Sequence, residues 1–278
     1  MDELHGALME LVLMTLFVFF GCTAAIAAQF AAGAGVTAGV DVLLISFAFG
    51  FMILVLVSGF GSVSGGHINP AVTLALMMAK VCEVKRGIYY MVAQFAGALL
   101  GALLCYGATY GLSTSTIPIG AERPLSSAPG TPPYGLGVTT LNPWVSQLSG
   151  FILEMMGTIL LCMTVLMVAV HKGNPFSPMA PHPIGFAVFV AHLALVPFTG
   201  CGINPARTFG PAVVAAVAGH QGAWGSWSWI YFVGPFSGSA VSVAIYHLFK
   251  SFKHFEERLE EDMTGKQQVG NKVGADSA

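Results

Sequence analysis

Long apolar runs separated by short polar stretches make up this chain, and the lengths of the runs predict its elements. Six runs, over residues 4–28, 42–61, 87–110, 145–170, 181–199 and 229–250, are continuous enough to form uninterrupted helices. A hydrocarbon core of about 30 Å needs roughly 20 helical residues, so each run is of spanning length. Two further apolar runs, 69–79 and 204–217, are too short to span and reach only about half that depth. Both open on the same triplet, Asn69-Pro70-Ala71 and Asn204-Pro205-Ala206. Asn is a favoured N-cap, and Pro at the first helical position gives up an N–H that would be unpaired anyway. The pattern therefore predicts an all-α membrane protein of six spans plus two short helices that begin inside the membrane.

The order of elements repeats. Spans and a short helix occur in the same sequence before and after a connection, 111–143, that is rich in Pro, Ser, Thr and Gly and reads as an external loop. The expected divisions are a first repeat at 1–112, the connection at 113–144, a second repeat at 145–250 and a polar tail at 251–278. Three spans per half is an odd number, so the second half must enter the membrane inverted. The short helices then come in from opposite faces and meet near the midplane, where interrupted segments of an inverted repeat mark a transport site. Glu10 and Glu154 are the carboxylates inside the predicted spans, at matching places in the two halves. An intramembrane carboxylate is costly enough to be a functional candidate. This pair is expected to accept hydrogen bonds from N–H groups of the non-spanning loops. A proton relay is the alternative, but no series of ionisable partners accompanies either residue. Gly97-x-x-x-Gly101 and Gly234-x-x-x-Gly238 also match, a spacing that lets helix backbones approach closely.

Composition agrees with a lipid environment: 55% of residues are hydrophobic and 9% charged, against about 25% charged in soluble domains. The net charge of −2 gives no reason to expect a nucleic-acid partner. Cys22, Cys82, Cys105, Cys162 and Cys201 are scattered without paired spacing, so neither a disulfide framework nor a metal site is expected. The first Lys or Arg is Lys80, and a cleaved leader with a basic start is not expected. Lys80, Lys85 and Arg86, then Lys172, then Lys250, Lys253 and Arg258 all follow even-numbered spans. The positive-inside rule makes that side cytoplasmic, together with both termini. Only Arg123 lies in an opposite-side loop.

The segment Gly65-Gly66-His67-Ile68-Asn69-Pro70-Ala71-Val72-Thr73, the second triplet, Tyr90-Met91-Val92-Ala93-Gln94 and Pro183-Ile184-Gly185-Phe186-Ala187-Val188 resemble the aquaporins, the major intrinsic proteins. The resemblance covers about residues 4–250 and is strongest toward the plant-type plasma-membrane branch. It implies six tilted helices and two half-helices around a pore, in a homotetramer with one pore per protomer. It also implies a four-residue selectivity filter, which falls on Phe49, His192, Cys201 and Arg207 and matches the water-selective type. On that reading Asn69 and Asn204 orient the permeating water at the midplane. No enzymatic chemistry, cofactor or metal is called for, and water and the lipid bilayer are the expected partners. The plasma membrane is the expected location, with an intracellular membrane the other choice. Hydrogen peroxide, being close to water in size and polarity, is a further expected permeant.

Two other readings compete. A glycerol-conducting channel would be expected to carry Asp after the filter Arg, where this chain has Thr208. It would have a small residue at His192 and a Pro-containing pair at Tyr231-Phe232. An ion-coupled secondary transporter would use Glu10 and Glu154 as coupling groups and show saturable kinetics. The resemblance is weakest in the gating elements. Ala79-Lys80-Val81-Cys82 lacks the plant branch's phosphorylatable Ser, and Pro175 stands where that branch carries a gating His. Neither plant-type gate is expected.

Overall fold

The computed structural model describes residues 3–33, 40–110, 133–172, 174–220 and 222–251. Most of the expected external connection, including Arg123, and nearly all of the tail lie outside the described residues.

The described chain is helical. The spanning helices are α1 (Glu3–Gly33), α2 (Val40–Ser64), α4 (Val84–Thr109), α5 (Gln147–Val165), α6 (Pro181–Thr199) and α8 (Ile230–Ser251). All six are long and apolar enough to cross a membrane. The short helices are α3 (Pro70–Met78) and α7 (Pro205–Val217). The expected boundaries hold to within a few residues, and α5 continues through one π-helical turn, Leu166–Val170. There the slipped hydrogen-bond register frees the Met167 carbonyl, which accepts from Asn174 Nδ2 at 2.8 Å.

Packing follows the repeat. In the first half α4 lies on α1, with Gly97 against the Leu11 carbonyl and Gly101 against that of Thr15. In the second half α8 lies on α5, with Gly234 against Glu154 and Gly238 against the Met155 carbonyl. A side chain larger than hydrogen at these glycines would hold the helices apart, so the two small-residue pairs set equivalent crossings. The halves join where α2 packs on α6, with Gly50 and Gly185 each close to the other's carbonyl oxygen. Outward faces carry Phe47, Phe51, Val92, Leu103, Ile152 and Phe186, all exposed, as expected of surfaces solvated by lipid tails.

The connection between the repeats is not wholly a surface loop. Its end forms a 3-10 turn, Pro133–Gly137, that folds against α1, α4 and α7 and buries Leu136 completely. Three successive residues there, Gly135, Leu136 and Gly137, have φ of 64°, 54° and 66°. Such a left-handed run is readily adopted by Gly and disfavoured for Leu, whose burial in the core offsets the cost.

Candidate functional site

The short helices start as their sequences predict. Asn69 and Asn204 are N-caps in extended conformation, each followed by Pro at the first helical position. Asn69 Oδ1 accepts from Ala71 N at 2.8 Å, and Asn204 Oδ1 from Arg207 N at 3.2 Å. With the oxygens held in this way, the amide nitrogens point across the repeat. Asn69 Nδ2 donates to the Ile203 carbonyl at 2.9 Å and Asn204 Nδ2 to the Ile68 carbonyl at 2.8 Å. Each amide nitrogen carries two hydrogens, so each keeps a second donor. Pro70, Ala71, Pro205 and Ala206 are buried around these caps.

The residues before the caps are unusual. Ile68 and Ile203 have φ of 51° and 41°, in the left-handed region that a β-branched residue rarely enters. Such a conformation costs on the order of 1–3 kcal/mol and persists only where its surroundings over-determine it. Here the surroundings do so from both faces of the peptide. Glu10 Oε2 accepts from Ile68 N at 2.7 Å, and Glu154 Oε2 accepts from Ile203 N at 2.6 Å. The opposite faces are the carbonyls held by Asn204 and Asn69.

Both carboxylates are fully buried and surrounded by donors. Glu10 Oε1 takes Ser64 Oγ at 2.7 Å and His67 N at 2.9 Å, and Oε2 also takes Gln94 Nε2 at 2.8 Å. Glu154 Oε1 takes Thr199 Oγ1 at 2.6 Å and Gly202 N at 2.9 Å. Backbone N–H groups of each pre-cap loop thus converge on the carboxyl group of its half, together with one hydroxyl in each half and, at Glu10, the Gln94 amide. The two residues sit at equivalent places and do equivalent work on the two loops.

Beyond Asn204 the four expected filter residues come together in part. The Phe49 and His192 rings stack with centroids 4.6 Å apart, and Arg207 Cζ lies 4.6 Å from the Phe49 centroid. Arg207 Nη1 donates to the Gly137 carbonyl at 2.9 Å. His192 Nδ1 is 2.8 Å from the Val188 carbonyl; a carbonyl only accepts, so Nδ1 carries the proton. In the neutral ring Nε2 is then a bare acceptor. His192 Nε2 and Arg207 Nε are buried and have no hydrogen-bond partner among the described residues. Unpaired buried polar atoms are expensive, and an acceptor on His192 and a donor on Arg207, each packed against the Phe49 ring, suit a small molecule that can do both. Cys201 is fully buried with φ of 54°, its N–H donating to Thr199 Oγ1 at 3.2 Å. The structure thus clusters Phe49, His192 and Arg207 by direct ring and guanidinium contacts, with Cys201 on the adjoining loop.

A cavity of about 210 Å³ runs from Val81 and Ala180 past Val72, Asn69 and Asn204 to His192. Ile53, Val57, Leu161, Val165, Ile184 and Val188 make most of its wall apolar. Its polar points are the two cap asparagines, His67, His192 and the backbone of the pre-cap loops.

Sequence reasoning missed Gly137, whose carbonyl holds the filter arginine. A backbone acceptor leaves no side-chain signature, and the surrounding Pro and Gly residues read only as loop. The left-handed conformations of Ile68 and Ile203 were equally invisible, because isoleucine gives no sign of it.

Six apolar helices, two opposed half-helices and a polar constriction on an apolar passage define a membrane channel built as an inverted repeat. The chain belongs to the Major intrinsic protein family, whose sequence model matches residues 1–246. It is similar to Aquaporin-1 of Sus scrofa, 35% identical over 239 residues covering 85% of this chain and 79% of that protein. It is also similar to Aquaporin PIP2-4 of Oryza sativa subsp. japonica, 42% identical over 213 residues covering 75% of this chain and 66% of that one. The X-ray structure of the aquaglyceroporin from Plasmodium falciparum superposes with a TM-score of 0.72, covering 88% of this chain and 96% of that one. At 23% identity that likeness speaks to the fold alone. The protein is a multi-pass integral membrane protein and not an enzyme.

Proposed function

We propose that the protein is a passive, water-selective channel that excludes protons. The observation that carries this reading is the pair of buried, unpartnered polar atoms, His192 Nε2 and Arg207 Nε, beside the Phe49 ring. A water molecule entering the constriction accepts from Arg207 and donates to His192, recovering hydrogen bonds it loses on leaving bulk. The bulk of Phe49 and His192 leaves little room for a carbon chain. Thr208, His192 and Tyr231-Phe232, the three departures from the glycerol-conducting pattern, point the same way.

At the midplane the second hydrogens of Asn69 and Asn204 both donate to the passing oxygen. A water so held cannot also accept from its neighbours, which interrupts a proton wire. The N-termini of α3 and α7 add roughly half a positive charge each, which disfavours cations. The apolar wall holds water weakly and lets it leave. Hydrogen peroxide, with similar size and donors, passes by the same contacts.

Within the family we read the chain as nearest the plant-type plasma-membrane branch, acting in the plasma membrane as a homotetramer with both termini cytoplasmic and one pore per protomer. The test is light scattering from proteoliposomes under sucrose and then glycerol gradients. Fast shrinkage in sucrose with no glycerol re-swelling supports water selectivity. Re-swelling would move the channel to the small-solute type, and rates equal to empty liposomes would remove the channel reading.

A further inference from the structure

Arg207 is positioned by an element far from it in sequence. Among the described residues, the hydrogen-bond acceptor found for its guanidinium is the Gly137 carbonyl, in the tucked end of the inter-repeat connection. That carbonyl is useful only if it stays in register with α7, and a single hydrogen bond between a flexible side chain and a backbone oxygen does not fix register. A second bond does. Thr139 Oγ1 donates to Thr208 Oγ1 at 3.0 Å, joining the connection to the residue next to Arg207. Both hydroxyls are buried, Thr139 at 1% and Thr208 at 2% exposure. The same segment is fastened further on, where Asn142 N donates to the Phe198 carbonyl at 2.9 Å.

We propose that Thr139 and Thr208 form a pin that holds the Gly137 carbonyl on Arg207 and thereby sets the solute selectivity of the filter. They are positioning residues and contact no permeant themselves. The inference rests on the water-channel reading. It goes beyond that reading by assigning selectivity to a hydroxyl pair outside the four filter positions.

The geometry explains why a hydroxyl is used at both places. Two points of attachment on consecutive α7 residues fix both the distance and the orientation of the segment between Gly137 and Thr139. Arg207 Nε already lacks a partner among the described residues. When the pin is cut, the carbonyl drifts, the guanidinium loses its anchor, and the aperture beside Phe49 is no longer defined. Water, being small, still passes; larger polar solutes are no longer rejected.

The experiment compares Thr139→Val and Thr208→Val, which keep shape and remove the hydroxyl, with Thr139→Ser, which keeps the hydroxyl. All are reconstituted in full length, and water and glycerol permeabilities are normalised to the amount of inserted protein. A buried neutral hydrogen bond corresponds to about a tenfold change in an equilibrium. The glycerol-to-water permeability ratio is therefore expected to rise by up to about tenfold in either Val variant and to stay at the wild-type value in the Ser variant. The double Val variant is expected to match either single, because one bond is lost in all three.

An unchanged ratio in both Val variants, or a Ser variant as leaky as Val, would overturn the proposal. So would strictly additive effects in the double variant, which indicate packing. Failure of both Val variants to insert assigns the bond to folding and overturns it too. A wild-type protein that is no faster than empty liposomes removes the water-channel reading, and this inference with it. A conducting wild type with unaltered Val variants removes only the inference.

Discussion

Gly21 on α1 lies directly beneath the ring of Phe49 on α2: a methyl group added to Gly21 would run into Phe49 Cε1 and Cζ. Phe17, one turn earlier, meets the same ring edge-on with centroids 5.3 Å apart. The ring is thus seated from behind by α1, with His192 stacked on it and Arg207 over it. Gly21→Ala should push Phe49 toward the permeation path. The expected result is a severalfold fall in water permeability per channel at unchanged membrane abundance, read by light scattering. Gly21→Ala with normal permeability would show that the ring can retreat elsewhere.

His192 is the filter residue that lines the cavity. Its ring is fully buried and touches both Phe49 and the open cavity. His192→Gly should widen the constriction and remove an acceptor while leaving Arg207 in place. Glycerol permeability should rise at least tenfold over the wild-type background, with water permeability kept within a factor of about three. Retained glycerol exclusion would move the selectivity away from this residue.

Much of this architecture could be read directly from the chain. Run lengths define the spans, the repeated Asn-Pro-Ala defines the half-helices, and paired carboxylates and glycines mark the symmetry, since each rests on a local signal. Three features could not be read, for a common reason. The left-handed Ile68 and Ile203, the π turn at Leu166–Val170 and the Gly137 carbonyl all depend on backbone geometry that tertiary partners impose. Ile68 is ordinary in sequence; only Glu10 on one face and Asn204 on the other make its conformation tenable. The connection around Leu136 was masked by its composition, because a single buried Leu among Gly and Pro leaves no periodicity.

The buried carboxylates separate a channel from a coupled transporter. Glu154→Gln replaces one accepting oxygen by an NH₂ group that faces donors and leaves at least one of them unpaired. Loss of a buried, charge-assisted contact of this kind costs about 2–3 kcal/mol. The variant should unfold several degrees lower in detergent, read by intrinsic fluorescence, and Glu10→Gln should do the same. In either variant the protein that remains folded should show no dependence of flux on an imposed pH gradient. Gradient-driven flux in the wild type, abolished by Glu154→Gln with stability intact, would favour coupling.

Mercurial block should discriminate between two buried thiols near the filter. Cys201 immediately precedes the Gly202-Ile203-Asn204 segment at the pore, while Cys22 packs against Gly137 behind it. Block of water flux by HgCl₂ should be lost in Cys201→Ser and kept in Cys22→Ser. The reverse pattern would mean that mercury acts by displacing the Gly137 segment from Arg207.

His220 gives the channel a predicted response to acid. It follows α7, its backbone N–H donates to the Ala215 carbonyl at 2.9 Å, and its ring lies beside Gly135 in the tucked connection. Partial burial lowers its pKa below the ordinary 6.5, because the charged ring is poorly solvated there. The folded arrangement therefore favours the neutral ring. Its contribution to the docking of this segment is complete above pH 6.5 and is lost as the pH falls from 6.5 through the lower folded value. Since the same segment carries the Gly137 carbonyl, acidification on that side should loosen the hold on Arg207. Glycerol leak should rise as the pH falls below 6.5 in the wild type and stay flat in His220→Gln. A leak that rises equally in both proteins would place the acid-sensitive group elsewhere.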